Sequence, residues 1–243
     1  MRIIQTEDYA AMSAQAAALI AAQVAEKPDC VLGLATGSTP IGAYRELVRR
    51  HLEEGLSFAR VRSVNLDEYL GLAPGHCQSY RYFMQVNLFD HVDILPENTH
   101  VPNGLADDPE AEGARYDALI AALGGIDLQL LGLGHNGHIG FNEPGPSFVL
   151  PTHPVELTQS TINANSRLFA SRDEVPKRAI TMGIRGIMGA RRVLVAVSGA
   201  DKADAVASAF AGPVTPEVPA SILQLHPDVV LAGDRAALSK LEG

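Results

Sequence analysis

Thiols are scarce in this chain of 243 residues: Cys30 and Cys77 are its two cysteines, and they stand far apart. No disulfide framework and no Cys-x-x-Cys zinc motif can be built from them, and a reducing cytoplasm is the expected setting. Positive charge is also in short supply. Lys and Arg number 19 against 28 Asp and Glu, a formal charge of −9. That balance argues against non-specific nucleic-acid binding and against docking on an anionic membrane, while a local basic pocket for a small anion stays open. Nor is there a run of the ~20 apolar residues that a bilayer span requires. The Ala-rich stretch over residues 10–25 follows Arg2, but Glu7 and Asp8 stand where a signal peptide is basic, and Gln15 and Gln23 interrupt it. It reads as an amphipathic surface helix. No internal repeat and no low-complexity linker is visible.

What is present fits one folded unit. Apolar residues make up 47% and charged residues 19%, which excludes a disordered or fibrous chain. A chain of this length buries roughly 70–75% of its unfolded surface, so a full core forms without disulfides or structural metals. Short apolar runs at residues 30–35, 61–66, 126–131, 179–182, 192–198 and 229–232 read as strands. Helical patterns fall at 41–54, 78–89, 108–123 and 201–211. Apolar residues at consecutive positions mark strands buried on both faces, hence a mostly parallel, doubly wound α/β sheet with helices on both faces, Rossmann-like in class. Ligands bind such sheets beyond the carboxyl ends of the strands.

Five segments are candidates for chemistry, four of them at strand ends. In Thr36-Gly37-Ser38-Thr39-Pro40, Gly37 permits close backbone approach, and Ser38 or Thr39 can cap the helix that Pro40 opens. The free N–H groups there attract anions, and a phosphate fits. No Lys closes the loop, so a Walker-type nucleotide site is not indicated. In Asn65-Leu66-Asp67-Glu68-Tyr69 the two carboxylates alternate across an extended segment, so they are no natural acid/base pair. One can face a crevice, although two solvated carboxylates are the simpler reading.

The loop from Gly132 to Pro144 admits three readings. Gly132, Gly134 and Gly137 match a dinucleotide fingerprint, but Pro144 and Pro146 follow too soon for the required helix. His135 and His138 are a metal-ligand pair only if Glu143 or His153 joins them. The third reading is an acid/base cluster of His138 and Glu143 with Asn136, crowded by glycines that admit substrate. Lys202 opens a helix against its dipole, which suits a residue serving an anionic ligand, and Arg167 lies in an irregular stretch from Pro144 to Pro176. Each alone is an ordinary surface charge. Together the segments indicate an enzyme that moves protons on a small phosphorylated metabolite without a cofactor and without a metal.

The sequence resembles the glucosamine-6-phosphate deaminase family along essentially the whole chain. The likeness rests on Leu34-Ala-Thr-Gly-Ser-Thr-Pro40, Asn65-Leu-Asp-Glu-Tyr-Leu-Gly-Leu72, Ser79-Tyr80, Gly132 through Pro144, Ala164-Asn-Ser-Arg167, Lys202 and Leu223-Gln-Leu-His-Pro227. The resemblance implies that glucosamine 6-phosphate and water give fructose 6-phosphate and ammonia. By matching position, it implies His138 as the acid/base of ring opening, supported by Glu143 and Asn136, and Asp67 as the base at C2. It further implies a phosphate held by Thr36, Gly37, Ser38 and Thr39 with Arg167 and Lys202, contacts from Tyr80 and Gly132, and a lid over about residues 147–176. Two departures carry expectations. Asn136, where some members have Asp, orients an imidazole without a full charge to stabilise its cation. No Lys or Arg lies between Glu143 and Arg167, where activated members hold an activator's phosphate, and Val155 and Glu156 substitute poorly. A non-activated cytoplasmic enzyme is therefore expected, one domain over 1–243, monomeric or a small homo-oligomer. The alternatives are a 6-phosphogluconolactonase-like hydrolase, which needs no base at position 67, and a non-catalytic sugar-phosphate sensor.

Overall fold

A computed structural model describes residues 1–159, 162, 169, 171 and 174–241. Its centre is a seven-stranded, all-parallel sheet built from β1 (Arg2–Thr6), β2 (Val31–Leu34), β3 (Arg62–Asn65), β5 (Thr99–His100), β6 (Leu128–Leu131), β9 (Arg192–Val197) and β10 (Val229–Asp234), in the order β1-β10-β9-β6-β2-β3-β5. β2, β6 and β10 are buried at every position, as the unbroken apolar runs require. The helices that flank the sheet start and stop on local signals. Asp8 caps α1 (Tyr9–Glu26) by accepting from Ala11 N, and Gly55, at φ +73°, ends α2 (Ile41–Glu54). Ser79 caps α3 (Tyr80–Asn87), and Asp108 caps α4 (Pro109–Ala122), where Pro109 occupies the first turn. Among the described residues there are three further short helices, α5 (Ile184–Met188), α6 (Ala203–Phe210) and α7 (Arg235–Leu238).

Chain order sets where a ligand can enter. From β2 the chain steps outward to β3 and β5, then returns to lay β6 on the other side of β2. The connections after β2 and β6 therefore part, and a crevice opens between them at the carboxyl ends. None of the described helices is long and apolar enough to cross a membrane.

A second sheet of three antiparallel strands stands at that same end. β4 (Asp67–Tyr69), β8 (Arg178–Thr181) and β7 (His153–Glu156) pair in the order β4-β8-β7, with Asp67 opposite Thr181 and Tyr69 opposite Ala179. It corrects two expectations. The strand expected at 179–182 belongs to this small sheet, because it pairs with β4 and not with the central sheet. The stretch from 144 to 176, expected to be irregular, contains β7, and Leu157 beyond it packs into an apolar cluster with Tyr69, Phe141 and Ala179. Residues 153–156 of the expected lid segment are thus built into a sheet. The edge strand β1 escaped the sequence reading because its exposed positions dilute the apolar signal.

Candidate active site

Leu66 alone separates β3 from β4, so the chain leaves the central sheet and at once joins the small one. This turn places Asp67 and Glu68 on opposite faces of a buried strand. Both carboxylates are shielded, at 6% and 2% exposure, so the solvated pair suggested by sequence is not what forms. Asp67 faces a cavity of about 670 Å³. Burial first, and the charge of Glu68 second, push its carboxyl up to about 8. Glu68 points the other way. It accepts backbone N–H groups of Tyr69 (2.8 Å), Tyr80 (2.9 Å) and Arg81 (3.0 Å).

The loop after β6 forms the opposite wall. Asn136 Oδ1 lies 2.7 Å from His138 Nδ1, and Asn136 Nδ2 donates to Glu143 Oε2 at 2.7 Å. A carbonyl oxygen only accepts, so His138 Nδ1 carries its proton and Nε2 is the nitrogen free to exchange one. Glu143 Oε2 is also 3.5 Å from His138 Nδ1. The full charge that Asn136 cannot supply therefore comes from Glu143, which alters the expectation drawn from position 136. Two glycines make this arrangement fit. A Cβ on Gly134 would sit 2.3 Å from the His138 ring. Gly140 adopts φ +59°, and a Cβ there would lie 3.0 Å from Thr181 Oγ1 and 3.3 Å from Asp67 Oδ2.

The turn from Thr36 to Thr39 lines the same cavity, with Gly37 at φ +91°. Neither Ser38 nor Thr39 caps α2, however: Pro40 stands at the cap without a side-chain hydrogen bond. The Tyr9 hydroxyl performs that task from α1, accepting from Gly42 N (2.9 Å) while donating to Ser38 O (3.1 Å). Lys202 ends a short 3-10 turn before α6 and reaches the cavity from beyond β9. Its Nζ donates to Leu133 O at 2.8 Å, and burial lowers its proton affinity against the pull of Asp201. Tyr80 lies parallel to Phe141 at 6.0 Å, forming an aromatic wall with Tyr69.

Thr36, Gly37, Ser38, Thr39, Asp67, Tyr80, Gly132, Asn136, His138 and Lys202 thus border one cavity, and Glu143 stands directly behind Asn136. Arg167 lies outside the described residues. Among the described residues no cluster of three or more His, Cys, Asp or Glu has the arrangement of a metal site, and His135 pairs instead with Asp201 at 2.6 Å. The sequence reading missed Tyr9, whose backbone partners are distant in sequence, and left Glu68 without a role, since two of its three partners stand at the start of α3. It also missed the apolar wall of Tyr82, Phe83 and Val86 on α3.

The sequence profile of the glucosamine-6-phosphate isomerases/6-phosphogluconolactonase family matches residues 5–231. A glucosamine-6-phosphate deaminase of Clostridioides difficile (strain 630) is 55% identical over 99% of this chain and 97% of its own length. One of Lachnoclostridium phytofermentans is 58% identical over 95% of this chain and 98% of its own. A solved structure of a monomeric glucosamine-6-phosphate deaminase superposes with a TM-score of 0.96 at 49% identity, covering 99% of this chain and 100% of that one. A 6-phosphogluconolactonase from Trypanosoma cruzi shares the fold, with a TM-score of 0.78 at 18% identity over 100% and 97% of the two chains. On the profile match, the full-length identities and the shared architecture, the chain belongs to the glucosamine-6-phosphate isomerase/6-phosphogluconolactonase family, on the side of its deaminases.

Proposed function

We propose that this chain is a glucosamine-6-phosphate deaminase, converting glucosamine 6-phosphate and water to fructose 6-phosphate and ammonia. The observation that carries the reading is Asp67, a buried carboxyl on the cavity wall with raised proton affinity, across from the His138–Asn136–Glu143 relay. His138 Nε2 exchanges the proton that opens the pyranose ring, with Glu143 balancing the imidazolium. Asp67 takes the C2 proton of the open chain and delivers it to C1. C2 is thereby oxidised as C1 is reduced, so the electrons balance within the sugar and no redox cofactor is called for. Water then replaces the amine at C2 and ammonia leaves.

The turn from Thr36 to Thr39 supplies backbone N–H groups for the phosphate, with Lys202 and Arg167 as cationic partners. Tyr80 and Gly132 border the sugar. The whole chain works as one catalytic unit, in the cytoplasm, as a monomer or a small homo-oligomer and without an allosteric activator. The remainder of the lid expected over about residues 147–176 falls largely outside the described residues.

An ammonia-release assay with glucosamine 6-phosphate tests the reading directly. Steady ammonia production supports it. Hydrolysis of 6-phosphogluconolactone without ammonia release would replace it by the lactonase, and phosphosugar binding without turnover of either would replace it by a sensor. The Tyr9 bridge adds a narrower expectation. Tyr9→Phe removes both hydrogen bonds of this exposed bridge, at a net cost of about 1 kcal/mol because water replaces them, and raises KM about two- to fivefold, with kcat unchanged. Steady-state kinetics at a single pH separates the two constants.

A further inference from the structure

We propose that Glu68 is a positioning residue that ties the strand carrying Asp67 to the helix carrying Tyr80 and places a carboxylate charge beside the general base. This rests on the deaminase reading of the site. The geometry is specific. Glu68 Oε1 accepts from Tyr69 N and Tyr80 N, and Oε2 accepts from Arg81 N. One carboxylate therefore ties β4, which carries Asp67, to the first turn of α3, which carries Tyr80. Burial raises the proton affinity of Glu68, and the three N–H donors, two of them at a helix N-terminus, offset part of that rise by favouring the ionised form. A Cβ on Gly104 would lie 2.3 Å from Tyr69 O and 3.1 Å from Glu68 Cγ, so only a glycine lets the chain pack this closely behind the carboxylate.

The surroundings of Asp67 single out Glu68 as the source of charge. From β4 come Glu68 and the Tyr69 hydroxyl, and from α3 the Tyr80 hydroxyl and Arg81, whose guanidinium turns away to Thr99 O at 2.9 Å. From α4 comes Tyr116, whose hydroxyl donates to Asn65 O at 2.8 Å, and from β8 the neutral Thr181. His138 and Lys202 border the same cavity from the loops after β6 and β9, and after burial Glu68 is the charge that raises the proton affinity of Asp67. A negative charge on the adjacent residue keeps Asp67 protonated to higher pH and makes it a stronger base once ionised.

The test is the pH profile of kcat/KM for ammonia release by wild type and Glu68→Gln. The variant keeps the size of the side chain and removes the charge. Its acid limb should move down by about one unit, so that below the wild-type limb its activity relative to its own plateau is up to tenfold higher. Its plateau should fall severalfold, because the Gln amide opposes one of the three N–H groups. A profile that only drops, with the limb unmoved, would overturn the proposal. A measurement on the wild-type chain guards against a variant that does not fold. The ¹³C carboxyl signal of Asp67, assigned by its loss in Asp67→Asn, should titrate near pH 8, and titration below pH 5 would overturn the proposal. This second readout needs no turnover, so absent ammonia release would sink the deaminase reading separately.

Discussion

Asp67→Asn lowers the rate of ammonia release by ~10²–10⁴-fold, the range for loss of a general base, and at the same time makes the protein harder to unfold. The first effect follows from the proposed role: an amide cannot take a proton from carbon. The second follows from burial. In the folded chain the Asp67 carboxyl is pushed from 3.8 up to about 8, by burial and then by Glu68. A raised carboxyl favours the fold fully below pH ~4, and that contribution is lost as pH rises through about 8. Wild type therefore loses stability across this window relative to the variant, which titrates nothing there. The gap in Tm between Asp67→Asn and wild type should open from pH 4 to pH 8 and level off above, reaching a few kcal/mol, or several degrees. Thermal denaturation at pH 4, 6, 8 and 9 reads it. A gap that stays constant across that range would show that Asp67 ionises as freely as in the unfolded chain. The same position would then lose its standing as a tuned base, since kcat/KM should rise with pH toward 8 in wild type.

Gly134→Ala reduces kcat/KM by ~10²-fold although position 134 carries no chemistry. Its new Cβ would stand 2.3 Å from ring atoms of His138, too close for any carbon contact, so the imidazole must swing away. A displacement of this order takes Nε2 out of line with the ring oxygen and takes Nδ1 off Asn136, and a misplacement of ~1 Å is enough for such a loss. Stability should change little, because His138 is half-buried and can turn toward the cavity. A double variant, Gly134→Ala with His138→Gln, sharpens the expectation. If the methyl acts through the ring, the double variant is no slower than His138→Gln alone. Additive losses would place the effect of Gly134 elsewhere in the loop.

The α/β class, five helices, five strands of the parallel sheet and the location of the crevice were all legible in sequence. Consecutive apolar residues mark strands covered on both faces, and the ends of those strands are where Thr36, Asp67, His138 and Lys202 stand. These signals are local and periodic. The small sheet was not legible, since β4 has three residues, β7 begins on a half-exposed His153, and both form only because β8 lies between them.

Composition and patterning by themselves determined that the chain builds a parallel sheet around an apolar core, and which chemical groups stand at its carboxyl edge. Tertiary structure decided what those groups are. Two adjacent carboxylates read as equals in sequence, yet one faces a cavity with raised proton affinity while the other is clamped by three backbone N–H groups. Side-chain identity is written in the chain, but proton affinity depends on the surrounding dielectric and on charges a few ångströms away, and only packing fixes those.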